Sequence, residues 1–242
     1  VQGAMAPVDK TFTDALTKRA VSPGQAVPGH VPPPVDVFRL PVQDEAEGGD
    51  ASVGQAEKRT RGDATRAAEL PRAFDLRASG RVTPVRDQGQ CGACWAIANL
   101  ESLESTLLPK ELATFSVQHL IERHGFDLGP CQGGNAIMAA SYMARRTGPV
   151  LEQAYQTAGG ALVTANRQTR QIYFIPMRQG ALDNARLKTA IMERGETHSI
   201  IYMDESWYSP YYNSYNYPVS ADANHAISLV GWDDDFPAAS FL

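Results

Sequence analysis

Apolar residues recur at spacings of four, three and four at Ala96, Leu100, Leu103 and Leu107, which is the period of a helix with one buried face. The spacing predicts a helix starting at Cys94 or Trp95, and Pro109 ends it. Ser116 is placed to cap a short second helix carrying Val117, Leu120 and Ile121 and stopping at Gly125. Asn135 is placed to cap a third, with Ile137, Met138, Ser141 and Tyr142, stopping at Gly148. Beyond these, QIYFIPM, HSIIYM and HAISLVGW are rich in β-branched and aromatic residues and read as strands, with LDNARLKTAIMERG between the first two as one capped helix. Helices come first and strands later, so the fold class expected is α+β in two lobes, with a cleft between them as the usual place for a site.

Residues 1–68 break this pattern. Seven of the sixteen prolines fall there, and QDEAEGGDASVGQAEKRTRGDATRAAE is small, polar and charged. This reads as an extended arm, and its VPPPV run favours polyproline II, a conformation already suited to lying in a groove. Val1 to Ala6 resemble a cloning scar and are set aside. The globular pattern runs from residue 69 to 242. Its 43% hydrophobic residues can supply a core. A net charge of −5, with no basic stripe interleaved with aromatics, argues against a nucleic-acid partner. No apolar run approaches the ~18 residues of a membrane span. A monomer is expected.

Three cysteines, Cys91, Cys94 and Cys131, raise three readings. Zinc needs three or four ligands, and no histidine stands at a spacing that completes a site with them. A redox C-x-x-C follows a strand in a βαβ unit, and none precedes Cys91. In the third reading Cys91 pairs with Cys131 and Cys94 remains a thiol at a helix start, where the dipole lowers its pKa as a nucleophile requires.

QGQCGACW, CQGGN at Cys131 to Asn135, and NHAISLVGW at Asn224 to Trp232 together resemble the papain-like cysteine peptidases, and LPRAFDLRASGRVTPVRDQG looks like that family's mature N-terminus. The resemblance covers about Leu70 to Trp232. It implies a papain-like fold, with a helical N-terminal lobe, a β-rich, barrel-like C-terminal lobe and the active-site cleft between them. It also implies hydrolysis of peptide bonds, with Cys94 as nucleophile, His225 as base and acid, and Gln88 as oxyanion donor. Gly133, Gly134, Asn135 and Asn224 would contact substrate, and Cys91 to Cys131 would be a disulfide. No metal and no cofactor are implied. Protein or peptide substrates are, together with secretion into an oxidising compartment. Residues taken alone say less: Gln88 reads as a solvated turn residue and Gly133–Gly134 as a tight turn.

The same resemblance makes the arm an inhibitory pro-segment, with Val31 to Leu40 along the cleft beside Gly133 and Gly134 and cleavage between Lys58 and Arg72. The family's orienting asparagine, in an N-S-W string, is not found, so an asparagine-bearing segment beyond Leu242 is expected. A peptide-binding protein without turnover, or acyl transfer through the same thioester, are the alternative readings. Of the other histidines, His119 and His124 read as surface or cap residues, His30 belongs to the arm, and His198 opens a strand. Tyr202 to Tyr217 holds six of nine tyrosines and reads as a loop packed on its own rings; Trp232 reads as core.

Overall fold

The computed structural model describes residues 29–31, 70–160, 163–165 and 167–241. Five helices and six short strands follow in chain order: β1 (Ala73–Asp75), α1 (Cys94–Leu107), α2 (Val117–Arg123), α3 (Ala136–Ala144), α4 (Glu152–Thr157), α5 (Ala185–Arg194), β2 (Thr197–Ile201), β3 (Tyr208–Ser209), β4 (Ser214–Tyr215), β5 (His225–Leu229) and β6 (Gly231–Asp233). None of the helices is long and apolar enough to cross a membrane.

The Ser116 and Asn135 caps read from sequence are in place, whereas Asn184 before α5 makes no side-chain cap bond. Ser116 Oγ accepts from the His119 amide at 3.2 Å, and Asn135 Oδ1 accepts from the amides of Ile137 and Met138 at 3.0 and 3.1 Å, satisfying donors that a helix start leaves open. Around α1 lies the core: Trp95, Leu100, Leu120, Ile121, Ala139 and Tyr142 are almost without solvent exposure.

β2 pairs antiparallel with β5, from Thr197 opposite Leu229 to Ile201 opposite His225, and this ribbon packs on α1. β1 pairs with β6 and β3 with β4, so the described strands form three two-stranded sheets. Gln171 to Met177, expected as a strand, has no strand conformation and finds no pairing partner among the described residues; its β-branched and aromatic side chains line a cavity instead. Strand propensity reports how side chains fit a pleated surface and leaves pairing to distant residues, so this run was misread.

Two further expectations, for His119 and Trp232, are corrected, and the one for His124 is met in part, since it is the C-cap of α2 although not at the surface. His119 and His124 are buried, at 2% and 3% exposure. The His119 ring lies against Tyr142 and Tyr155, with Nδ1 2.7 Å from the Tyr142 hydroxyl; His124 Nδ1 accepts from the Phe126 amide at 3.0 Å. Trp232 is half-buried rather than core: it stacks on Phe74 and donates from Nε1 to the Pro71 carbonyl at 2.9 Å.

Candidate active site

Cys94 is the first residue of α1, and the loop before it is held by short-range bonds. Asp87 Oδ1 accepts from the Gly89 amide at 2.8 Å, the Cys91 amide donates to the Gln88 carbonyl at 3.2 Å, and the Ala93 amide donates to the Cys91 carbonyl at 2.7 Å. Gln88 is thereby fixed six residues ahead of the thiol, half-buried beside Cys91, Ala93 and Ile97. Cys91 and Cys131 form a disulfide and Cys94 keeps its thiol. The Gly92 amide donates to the Cys131 carbonyl at 3.2 Å, so the loop carrying Gln88 and the loop carrying Gly133 and Gly134 are tied twice.

Across the thiol, the Ala226 amide points at Cys94 Sγ, 3.4 Å away, which brings the start of β5, and with it His225, to the nucleophile. Burial pushes the His225 imidazole below its ordinary pKa. Asn224 holds the base of this strand: its Oδ1 accepts from the Met203 amide at 2.7 Å and its Nδ2 donates to the Met203 carbonyl at 3.0 Å.

The cleft holds three residues of the arm. The Gly134 amide donates to the Gly29 carbonyl and the Val31 amide to the Gly134 carbonyl, both at 2.9 Å, so the segment runs parallel to the Gly134 strand; the His30 amide donates to the Asn224 carbonyl at 3.2 Å. All three residues are buried. A Cβ at Gly29 would stand 2.5 Å from Cys94 Sγ, so no side chain fits over the thiol. Gly133, at φ +92°, faces the Gly29 carbonyl, and a Cβ at Gly134 would stand too close to the Trp95 ring for any side chain. The segment expected along the cleft, Val31 to Leu40, is met at Val31; residues 32–40 lie outside the described residues, as do residues 58–69 of the Lys58 to Arg72 run where cleavage was expected. Sequence reasoning missed Gly29 and His30, although a glycine in a proline-rich arm is the residue a close backbone approach requires.

These bonds bring together Cys94, the His225 end of β5 and the Gly133–Gly134 loop; the Asn135 side chain is taken up by the cap of α3 and the Asn224 side chain by Met203, so that Asn224 meets the arm through its backbone carbonyl. Among the described residues no group of three or more His, Cys, Asp or Glu side chains could hold a metal ion. The Tyr-rich stretch does pack on itself, Tyr202 against Tyr217 and Trp207 against Tyr217, although Tyr211 remains 84% exposed.

A thiol at a helix start, met by a histidine-bearing strand in a cleft between helices and sheet, defines a two-lobed fold with a cysteine at the junction. Residues 70–239 match the papain family cysteine protease model, and the chain belongs to that family. It is 30% identical to the cysteine endopeptidase Rep1 of Oryza sativa subsp. japonica over 172 residues, 69% of this chain and 46% of the relative. It is likewise 30% identical to cathepsin K of Mus musculus over 170 residues, 67% of this chain and 51% of the relative. This chain spans about half the length of these relatives. In fold it is similar to the digestive procathepsin L2 proteinase of Tenebrio molitor, with a TM-score of 0.51 at 24% identity over 69% of this chain and 56% of that one. It is also similar to the clostridial cysteine protease Cwp84 after propeptide cleavage, with a TM-score of 0.56 at 21% identity over 70% of this chain and 46% of that one.

Proposed function

We propose that this chain is the precursor of a cysteine endopeptidase that cleaves protein or peptide amide bonds and is held inactive by its own N-terminal arm. In the reaction Cys94 Sγ, as thiolate, attacks the scissile carbonyl carbon. The oxyanion takes hydrogen bonds from the Gln88 side chain and the Cys94 amide. The C–N bond breaks as His225 gives its proton to the leaving amine. Water then attacks the thioester, His225 takes up the water's proton, and the acid product leaves with the thiolate restored. Gly133 and Gly134 offer backbone to an extended substrate, in the manner of strand addition. The Cys91–Cys131 disulfide fits folding in an oxidising, extracytoplasmic compartment.

The observation that carries the reading is the seating of Gly29 over Cys94 Sγ, with both Gly134 backbone groups already taken by the arm. A substrate cannot occupy the cleft until these bonds are exchanged. Removal of residues 1–68 is therefore expected to raise peptide hydrolysis and iodoacetamide labelling of Cys94 together. In that shortened chain Cys94→Ala is expected to lower hydrolysis by about 10³-fold or more. Unchanged labelling would make the arm a tail only; full hydrolysis by Cys94→Ala would end the peptidase reading.

A further inference from the structure

The catalytic reading leaves a set of buried carboxylates unused. Glu101, Glu104 and Glu196 are all less than 10% exposed and meet at the seam where α1 carries the β2–β5 ribbon. Two have evident partners within the framework. Glu104 is paired with the Arg86 guanidinium at 2.5 Å and accepts from the Phe115 amide at 2.6 Å. Glu196 accepts from the Thr83 amide at 2.7 Å and from its hydroxyl at 3.2 Å. Glu101 differs, because its Oε2 accepts from Ser228 Oγ at 2.7 Å, and Ser228 is on β5.

The placement of that bond matters. Ala226 and Ser228 are two apart on β5 and so share a face, while Cys94 and Glu101 are seven apart on α1, two turns along one side. Helix and strand thus meet at two polar rungs: the Ala226 amide on Cys94 Sγ, and the Ser228 hydroxyl on the Glu101 carboxylate. Seven helical residues rise about 10.5 Å and two strand residues only about 6.7 Å. A long side chain leaning toward the helix N-terminus closes that difference, which a short one cannot. Apolar packing alone leaves a strand able to slide or roll on a helix; a second directional contact removes that freedom.

We propose that Glu101 is a positioning residue for the catalytic pair: through Ser228 it fixes β5 against α1 and so holds His225 at the Cys94 thiol. This rests on the cysteine–histidine reading given above. Glu101 is only 8% exposed, so its bond to Ser228 is largely shielded from water, and the neighbouring carboxylates Glu104 and Glu196 are held by Arg86, Phe115 and Thr83.

The test is the titration of the Cys94 thiolate in the full chain, read as 240-nm absorbance against Cys94→Ala, which needs no access to the cleft. The unsubstituted chain is expected to keep its thiolate well below the ordinary thiol pKa of about 8.5. Glu101→Leu and Ser228→Ala should each move the midpoint up by about one unit or more, as expected when an imidazolium drifts from a thiolate. The double variant should be no worse than the singles, and Glu101→Gln, which still accepts from Ser228, should restore the original midpoint. Ser228→Ala deletes one hydroxyl at a half-buried site and serves if Glu101→Leu does not fold. Folded variants with an unchanged midpoint, even at lower thermal stability, would overturn the proposal and leave Glu101 a packing residue. An ordinary thiol midpoint in the unsubstituted chain would instead overturn the cysteine–histidine pair itself.

Discussion

The helical half and the strand half of this protein bury their side chains to very different degrees. α1 to α3 place Trp95, Leu100, Leu120, Met138 and Tyr142 in one cluster, whereas among the described strands only Ala226 joins it. The strand half leaves Ile200, Tyr208, Tyr211, Val219 and Phe236 at 40% exposure or more. A helix satisfies its own backbone and can pack a face against neighbours close in sequence. A two-stranded ribbon satisfies one edge and relies on what lies against it. The difference teaches that nucleophile and base rest on unequal supports: Cys94 is set by a dense core, His225 by the contacts of β5 with α1 and β2 and by the Asn224 clamp.

The largest test of that contrast is Trp95→Ala, expected to destabilise by about 3–5 kcal/mol as a fully buried ring leaves a cavity, read by chemical denaturation. A loss under about 1 kcal/mol would mean that the helical cluster is not what holds the molecule together.

Next in size is the response to pH, because buried histidines and buried carboxylates titrate in opposite senses. Burial holds His119 and His124 below their ordinary value of 6.5, so as pH falls through 6.5 the unfolded chain takes up protons that the buried rings refuse, and stability falls. Burial lifts Glu104 and Glu196 above 4.5. As pH rises from 4.5 through their raised values the unfolded chain has already released protons that the seam retains, and the stability contributed by the protonated seam is lost. Thermal unfolding against pH should therefore show a shallower acid loss in His124→Asn and a shallower loss on the alkaline side in Glu196→Gln. Exchange of these effects between the two variants would refute the assignment.

The smallest expected effect is on the open side. Tyr211→Ala, at an 84% exposed ring, should change stability by less than about 0.5 kcal/mol in the same denaturation experiment. A larger loss would show that the aromatic hairpin is structurally coupled to the rest of the chain.

What could be read from the sequence follows the same division. Ser116 and Asn135 announced their helices because a cap is a local event, and the α1 stripe was legible because its period is local too. The Gln171 to Met177 run was misjudged because pairing depends on residues far away. His119 and His124 were read as surface or cap residues; the cap role of His124 is local, whereas the burial of both depends on Tyr142 and Tyr155 over His119 and Trp95 against His124, which reach them only through the fold. The thiol, the histidine and the disulfide stood out through the motif. The carboxylate seam did not, since a charged residue is read as solvated by default, although Glu101 and Glu104 follow Ile97 at helical spacing and so share its inward side.

The contact between Gly134 and Trp95 has a consequence for how such a protein can change over generations. Because a Cβ at 134 would collide with the indole, a side chain can be gained there only if the ring beside the nucleophile is first replaced by something smaller. Either replacement alone meets a penalty, a collision in one order and a cavity in the other. Drift at these two positions is therefore expected to be linked, with each residue acting as a ratchet on the other, so that the wall of the cleft and the helix bearing the thiol are inherited as a pair.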